Sequence, residues 1–137
     1  DLIATFGHEL FQLAQENNVS LKFEAAVAGG IPIIKPLTES LYGNGISSIK
    51  AILNGTTNFI LTKMDGENLS YEEALSEAQQ LGFAEANPES DVMGYDSARK
   101  LAILSSLAFD KKFKWDDISI EGITNIDTND GNHILIQ

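Results

Sequence analysis

The sequence has no cysteine, which excludes disulfide bonds and metal sites built on thiolates. It has no run of about 18 apolar residues and no basic-then-apolar start, so neither a membrane-spanning helix nor a secretory signal is predicted, and a cytoplasmic location is expected. Basic residues are also scarce, since nine Lys and Arg accompany twenty Asp and Glu and give a net charge of −11. Nucleic acids and anionic membranes bind clustered Lys and Arg, so this balance argues against both as partners.

The rest of the composition is ordinary for a globular protein, with 43% hydrophobic and 21% charged residues. A length of 137 residues suffices for one domain with its own core, so we expect residues 1–137 to form a single domain. The chain begins with Asp rather than Met, and its first residues already have a helical pattern. We therefore expect it to be a piece of a longer protein.

The spacing of apolar residues predicts a mixture of helices and strands. Helices are predicted over residues 2–16, 71–81 and 95–109, with a shorter one over 33–41 and another capped by Thr56 or Thr57. The clearest signal is a capping box formed by Ser70 and Glu73. Apolar alternation next to turn residues predicts strands over residues 21–27, 48–53, 118–126 and 133–136. Because helices and strands do not alternate strictly, the predicted fold is α+β, a mixed β-sheet with helices packed on one face.

Residues 82–100 carry the most suggestive constellation. Asp96 and Lys100 lie four residues apart on a predicted helix and therefore share a face. An acidic loop leading into a helical lysine could hold an amine-bearing substrate beside a proton-transfer group. The alternative is a solvated loop with a surface Asp96–Lys100 pair, which contributes only about 0.3–0.5 kcal/mol. The acidic residues of the segment are Glu85, Glu89, Asp91 and Asp96.

Gly94 stands at the start of this predicted helix, where glycine costs up to about 1 kcal/mol relative to Ala. Its presence suggests that another group approaches the backbone closely. A weaker interpretation of the acidic loop is a Ca²⁺ site.

Two further segments could bind ligands. Glu24 lies in the predicted strand 21–27, which Gly29 and Gly30 terminate. It could join backbone carbonyls in an oxygen cage for a hard cation, or the segment could be a plain tight turn. Residues 54–58 (NGTTN) could bind an anion at a helix N-terminus or simply cap that helix. No G-x-G-x-x-G motif occurs anywhere, so no dinucleotide-binding fingerprint is present.

Four blocks together resemble the homoserine dehydrogenase family: residues 23–37, 48–64, 71–92 and 94–109. The likeness covers roughly residues 1–126. It implies NAD(P)-dependent interconversion of L-homoserine and L-aspartate 4-semialdehyde, in threonine, methionine and isoleucine biosynthesis, by a homodimer. It also implies that this chain is the catalytic and dimerisation segment without the nucleotide-binding domain, inactive by itself. Residues 127–137 do not resemble the family's continuation and are expected to be a divergent or artificially added tail.

The resemblance also assigns roles to individual residues. Glu85 matches the acid that binds the amino group of homoserine, and Asp91 matches a second acid of the same pocket. Asp96 matches an aspartate that orients the substrate, and Lys100 matches the lysine that transfers the hydroxyl proton.

A second set of residues matches the family's monovalent-cation site for Na⁺ or K⁺. It consists of Glu24 with the carbonyls of Val27, Gly29 and Ile31. The main alternative function is a non-catalytic module that dimerises through its sheet and binds no substrate.

Overall fold

The computed structural model describes residues 1–126, and those residues are helical or irregular. The chain divides into two compact units, a first unit of Asp1–Ile49 with Ala98–Ser119, and a second unit of Lys50–Ser97 with the segment that begins at Ile120. The α-helices are α1 (Leu2–Glu16), α2 (Gly55–Glu67), α3 (Tyr71–Gln80), α4 (Glu89–Val92) and α5 (Tyr95–Ala108). Short 3₁₀ turns lie at Glu24–Ala26 and Trp115–Asp117, and a π-helical turn lies at Pro36–Ser40.

The predicted mixed β-sheet is wrong for the described residues, because no strand occurs between residues 1 and 126. Residues 48–53 have no regular secondary structure, residues 21–27 contain a 3₁₀ turn, and 118–126 are irregular. Apolar alternation indicates which side chains face a core, whereas a strand also needs a neighbouring strand for its backbone hydrogen bonds. No described segment supplies that pairing. The strand predicted over residues 133–136 lies outside the described residues, as does the predicted tail, 127–137.

The helix predictions are confirmed at α1, α3 and α5. The capping box of α3 is present: the Ser70 N–H donates to the Glu73 carboxylate at 2.9 Å, and the Glu73 N–H donates to Ser70 Oγ at 3.3 Å. Helix α2 is capped by Asn54, not by a threonine, because the Asn54 side-chain oxygen accepts the Thr57 N–H at 2.8 Å. The cap therefore lies two or three residues before the predicted position, and Asn54 stands at the helix start.

The core of the second unit lies between α2 and α3. Two alanines of α3, Ala74 and Ala78, are fully buried, and their small side chains let the two helices approach closely. Lys63 of α2 lies 2.8 Å from carboxylate oxygens of both Glu67 and Glu77, and the second of these is on α3. The side-chain hydrogen bonds to Glu67 and then Glu77 raise the pKa of Lys63 above its ordinary value. Other buried members of the core are Ile60, Leu61, Met64, Ala84 and Val92.

Gly94, in the turn between α4 and α5, is closely approached by the segment that begins at Ile120. Its φ is +83°, and a Cβ at this position would lie 2.8 Å from Ile120 Cγ2. A Cβ on Gly122 would lie 2.8 Å from the Val92 carbonyl oxygen, which also accepts the Ile123 N–H at 2.8 Å. The close approach that the sequence suggested at Gly94 is therefore present.

In the first unit, α1 leaves several large apolar side chains exposed, including Leu2 and Leu13. Phe11 of α1 packs on Phe23 with ring centroids 5.2 Å apart, which anchors the segment that carries Glu24. No helix within residues 1–126 is long and apolar enough to cross a membrane.

Candidate active site

Asn54 joins two of the acids that the sequence singled out. Its side-chain Nδ2 donates to Asp91 Oδ1 at 2.7 Å and to Asp96 Oδ2 at 2.8 Å. Asn54 is only 5% exposed. Asn is rarely buried to this extent unless its polar atoms are hydrogen-bonded. The acids Asp91 and Asp96 are therefore brought together, in the second unit, by one neutral donor.

The local structure explains why this donor is available. Asn54 precedes α2 in an extended conformation, and its Oδ1 is occupied by the Thr57 N–H, so both Nδ2 hydrogens remain for other acceptors. The carboxylates of Asp91 and Asp96 thus lie at the N-terminus of α2. The partial positive charge of a helix N-terminus favours anions, which reduces the cost of placing two carboxylates close together.

The break between α4 and α5 brings these two acids to the same donor. Asp91 belongs to α4 and Asp96 to the first turn of α5. In one unbroken helix, residues five apart do not share a face. Gly94 stops α4 with a left-handed conformation, and α5 restarts at Tyr95. Asp91 and Asp96 therefore converge because of the turn at Gly94, and not because of their spacing along one helix.

The backbone around Glu85 is fixed, while its side chain is exposed. Gln79 Nε2 donates to the Glu85 carbonyl at 3.0 Å, and Thr56 Oγ1 donates to the Phe83 carbonyl at 2.7 Å. The Phe83 ring stacks on Phe59 with centroids 4.8 Å apart. A carboxylate in solvent on an anchored backbone can meet a ligand with little loss of loop entropy.

Lys100 lies in α5, one helical turn after Asp96, and is half-buried. The shared helix that the sequence predicted for these two residues is confirmed. Residues Ala98–Ser119 belong to the first unit, so Lys100 and Asp96 are assigned to different units.

Glu24 accepts three backbone N–H groups in the first unit. The donors are Ile33 at 2.5 Å, Ile34 at 2.7 Å and Lys35 at 3.0 Å. Desolvation by itself would raise the pKa of the Glu24 carboxyl. The N–H groups of Lys35, Ile33 and Ile34, together with the charge of Lys35, outweigh it and hold the pKa below its ordinary value of 4.5.

The chain turns sharply just after Glu24. Ala28 and Gly29 both have left-handed backbone conformations, with φ of +59° and +57°. Within residues 1–126, no group of three or more His, Asp or Glu side chains could hold a metal ion.

A depression with a volume of about 310 Å³ lies elsewhere in the second unit, between the start of α3 and residues 124–126. None of the sequence-predicted site residues lines it. Its position therefore adds nothing to the chemistry around Asn54.

The bridging role of Asn54 was missed by sequence reasoning, which treated residues 54–58 as a cap or an anion site. The segment does cap α2, but through Asn54 and not through the predicted Thr56 or Thr57. No local sequence pattern indicates what the side-chain NH₂ group of Asn54 donates to, because its two acceptors lie 37 and 42 residues away.

The chain is similar to homoserine dehydrogenases in sequence. A family model described as homoserine dehydrogenase matches residues 32–136. The homoserine dehydrogenase of Bacillus subtilis strain 168 is 52% identical over 130 residues, which are 95% of this chain and 30% of the relative. The homoserine dehydrogenase of a Synechocystis strain is 51% identical over 129 residues, covering 94% of this chain and 30% of the relative.

Solved structures agree with the sequence comparison. A homoserine dehydrogenase from Thiobacillus denitrificans superposes with a TM-score of 0.91 at 46% identity, covering 94% of this chain and 30% of that one. A hyperthermophilic archaeal homoserine dehydrogenase in complex with NADPH gives a TM-score of 0.82 at 37% identity, covering 92% and 39%.

The chain spans about 30% of the length of the curated relatives it matches. The family match ends at residue 136, whereas the resemblance described from the sequence covers roughly residues 1–126. With more than half of its residues matched by the family model, the chain belongs to the homoserine dehydrogenase family of oxidoreductases.

Proposed function

We propose that this chain supplies the substrate-binding and proton-transfer residues for the NAD(P)-dependent interconversion of L-homoserine and L-aspartate 4-semialdehyde. The observation that carries the proposal is the pair of carboxylates, Asp91 and Asp96, held by the buried amide of Asn54. Activity is proposed for a protein that includes this chain, since the chain spans about 30% of its relatives.

The substrate explains the need for acids. L-Homoserine carries an ammonium group. Carboxylates bind an ammonium group through charge-assisted hydrogen bonds, which are stronger than neutral ones. We assign that contact to Glu85 and Asp91. The anchored backbone beneath Glu85 supports this assignment, because only its side chain must be ordered when substrate binds.

The reaction also needs a proton acceptor. Converting the alcohol of homoserine to an aldehyde removes the hydroxyl proton and a hydride from the same carbon; the nicotinamide cofactor would accept the hydride, and the reverse reaction returns both. We assign this proton transfer to Lys100 and the orientation of the substrate to Asp96. Both assignments rest on their positions in the GYDSARK motif and on their shared helix.

We assign no residue of this chain to binding of the nicotinamide dinucleotide. Such a site is usually a glycine-rich turn between a strand and a helix, whereas residues 1–126 contain no strand and the sequence contains no G-x-G-x-x-G. The chemistry proposed for this chain is therefore limited to holding the substrate and moving its proton.

A chimera tests the proposal. Residues 1–137 would replace the aligned segment of the Bacillus subtilis enzyme, and L-homoserine oxidation would be followed through cofactor absorbance. We expect turnover within about tenfold of the parent enzyme, because the residues of this chain should be correctly placed. A misplaced catalytic group would cost about 100-fold. A chimera that folds but shows no turnover would contradict the proposed function.

Within this chimera, we expect Glu85→Gln to raise the KM for L-homoserine by roughly 10- to 100-fold with a smaller effect on kcat. A charged hydrogen bond contributes about 1.5–3 kcal/mol, and the amide retains the shape of the side chain but not its charge. Initial rates over a range of homoserine concentrations measure this. Glu89→Gln is the matched control, because Glu89 is also exposed and has no assigned contact with substrate. An unchanged KM in Glu85→Gln would remove Glu85 from the binding site.

We also propose a monovalent-cation site formed by Glu24 with the carbonyls of Val27, Gly29 and Ile31. Its support is a carboxyl whose pKa is held below the ordinary value, beside a turn with two left-handed residues. Oxygen ligands of this kind suit hard cations.

We expect Glu24→Gln to destabilise the chain at neutral pH and to do so less as the pH falls. The folded-state pKa of Glu24 is lowered, so its stabilisation is fully present above 4.5 and is lost as the pH falls through the folded-state pKa. Urea unfolding of the 137-residue chain between pH 3 and pH 7 measures the difference.

The control is Glu39→Gln, which removes an exposed carboxylate 3.7 Å from Lys35 and should change little at any pH. At neutral pH, KCl or NaCl should raise the Tm of the unsubstituted chain above its value in tetramethylammonium chloride. The same increase in Glu24→Gln would contradict the cation site.

The remaining parts of the proposal are a homodimer, a cytoplasmic location, and a role in threonine, methionine and isoleucine biosynthesis. Exposed apolar side chains in the first unit, such as Ile31 and Tyr42, support association. Sedimentation equilibrium of the chimera would show a monomer if the dimer proposal is wrong.

A further inference from the structure

We infer that Asn54 is a positioning residue for the proposed reaction, because its buried side-chain amide fixes the arrangement of Asp91 and Asp96. The inference rests on the proposed function, since it concerns the acids assigned to substrate. Its basis is the pair of hydrogen bonds of 2.7 and 2.8 Å from one nitrogen to two carboxylates on two different helices.

The orientation of the amide is determined by its surroundings. Asn54 Oδ1 accepts the Thr57 N–H at 2.8 Å, so Nδ2 faces the acids. The opposite orientation would place an oxygen against two carboxylates and an NH₂ group against an N–H. The hydrogen bond that caps α2 and the two hydrogen bonds to the acids therefore require the same orientation of the Asn54 amide.

The bridge also limits the separation of the acids. Two oxygens that accept from the same nitrogen can be no farther apart than about 5.5 Å, the sum of the 2.7 and 2.8 Å bonds. Carboxylates this close repel each other. A neutral double donor at the start of α2 offsets that repulsion without adding a charge that would compete with an ammonium substrate.

This arrangement matters for rate as well as for binding. Asp91 is assigned to the amino group and Asp96 to substrate orientation, so the distance between the two acids determines how the substrate lies. Displacement of a positioning group by about 1 Å can cost about 100-fold in rate. Asn54 would act through the two acids, without touching the substrate.

A purely structural role as helix cap is the competing explanation, and Asn54→Asp separates the two. Asp caps helices as well as Asn does, so the Thr57 hydrogen bond is retained. The NH₂ group, however, becomes an oxygen that faces Asp91 and Asp96. Asn54→Ser also retains the cap, but it removes both donors without adding charge.

The experiment uses the chimera with the Bacillus subtilis enzyme, with steady-state kinetics and Tm measured for each variant. We expect Asn54→Asp to lower kcat/KM for L-homoserine by about 100-fold or more, with the KM for the nicotinamide cofactor unchanged within about twofold. Asn54→Ser should give a smaller loss of about tenfold, because it adds no repulsion. Asn68→Asp, an exposed change of the same kind in the second unit, is the control and should match the unsubstituted chimera.

Activity of both Asn54 variants within threefold of the unsubstituted chimera would overturn the inference and leave the proposed function standing. A loss in Asn54→Asp that only follows a fall in Tm, with Asn54→Ser fully active, would also overturn it in favour of a structural role. If Asn54→Asp does not fold, Asn54→Ser decides between these outcomes. An inactive but folded unsubstituted chimera would overturn the proposed function and this inference with it.

Discussion

Replacing Lys100 with Ala should lower kcat for L-homoserine oxidation by about 10²–10⁴-fold while the KM for homoserine changes little. The expected size follows from the usual contribution of a positioned acid or base to a proton transfer. The assigned binding contacts come from Glu85 and Asp91, so binding should largely survive. Steady-state kinetics of the chimera with the Bacillus subtilis enzyme provide the measurement.

Lys100→Arg distinguishes proton transfer from simple charge. The guanidinium remains protonated in proteins, so it retains the positive charge but cannot accept the hydroxyl proton. We expect Lys100→Arg to be nearly as inactive as Lys100→Ala. Full activity in Lys100→Arg would show that Lys100 provides only charge, and near-normal kcat in Lys100→Ala would remove it from the reaction. Lys112→Ala, an exposed change in the same unit, should have no effect.

Gly94→Ala should cost on the order of 3 kcal/mol of unfolding free energy and lower the Tm by roughly 10 °C. A left-handed conformation costs a residue with a Cβ about 1–2 kcal/mol, and Gly94 has a φ of +83°. The added Cβ would also lie 2.8 Å from Ile120 Cγ2 and 3.4 Å from the Glu121 carbonyl oxygen. Overpacking of this kind typically adds about 1–3 kcal/mol. Urea and thermal unfolding of the 137-residue chain measure the cost.

Gly66→Ala is the matched control, because Gly66 lies in α2 and, apart from its chain neighbours and the helix's own backbone, nothing lies within 4 Å of the position of its Cβ. Alanine is favoured over glycine in helices by up to about 1 kcal/mol, so this change should be neutral or stabilising. If Gly94→Ala unfolds at the same temperature as Gly66→Ala, the close approach of Ile120 does not constrain the α4–α5 turn.

The sequence predicted helices well where the signal was local. The box of Ser70 and Glu73 determines the start of α3 through contacts three residues apart, and those contacts are present. The sheet was wrong because strand pairing depends on distant segments, about which apolar alternation carries no information. Extended or irregular chain, as at residues 48–53, can show the same alternation.

The same distinction applies to the site. The shared helix of Asp96 and Lys100 followed from their spacing and is confirmed. The convergence of Asp91 and Asp96 could not be predicted, because it depends on the turn at Gly94 and on an amide 37 residues before Asp91. For Glu24, the sequence suggested an oxygen cage, and the structure adds three N–H donors that no spacing rule indicated.

The residue after Asn54 gives the buried amide a chemical vulnerability. Asn54 is followed by Gly55, and an Asn–Gly pair is the sequence most prone to deamidation, because glycine leaves the backbone nitrogen unhindered to attack the side-chain amide. In the folded chain both ends of that amide are hydrogen-bonded, which opposes the attack. Opening of the first turn of α2 removes this protection. Ageing of the unfolded or partly open protein would then place a third carboxylate beside Asp91 and Asp96, so the lifetime of the site depends on how rarely that turn opens.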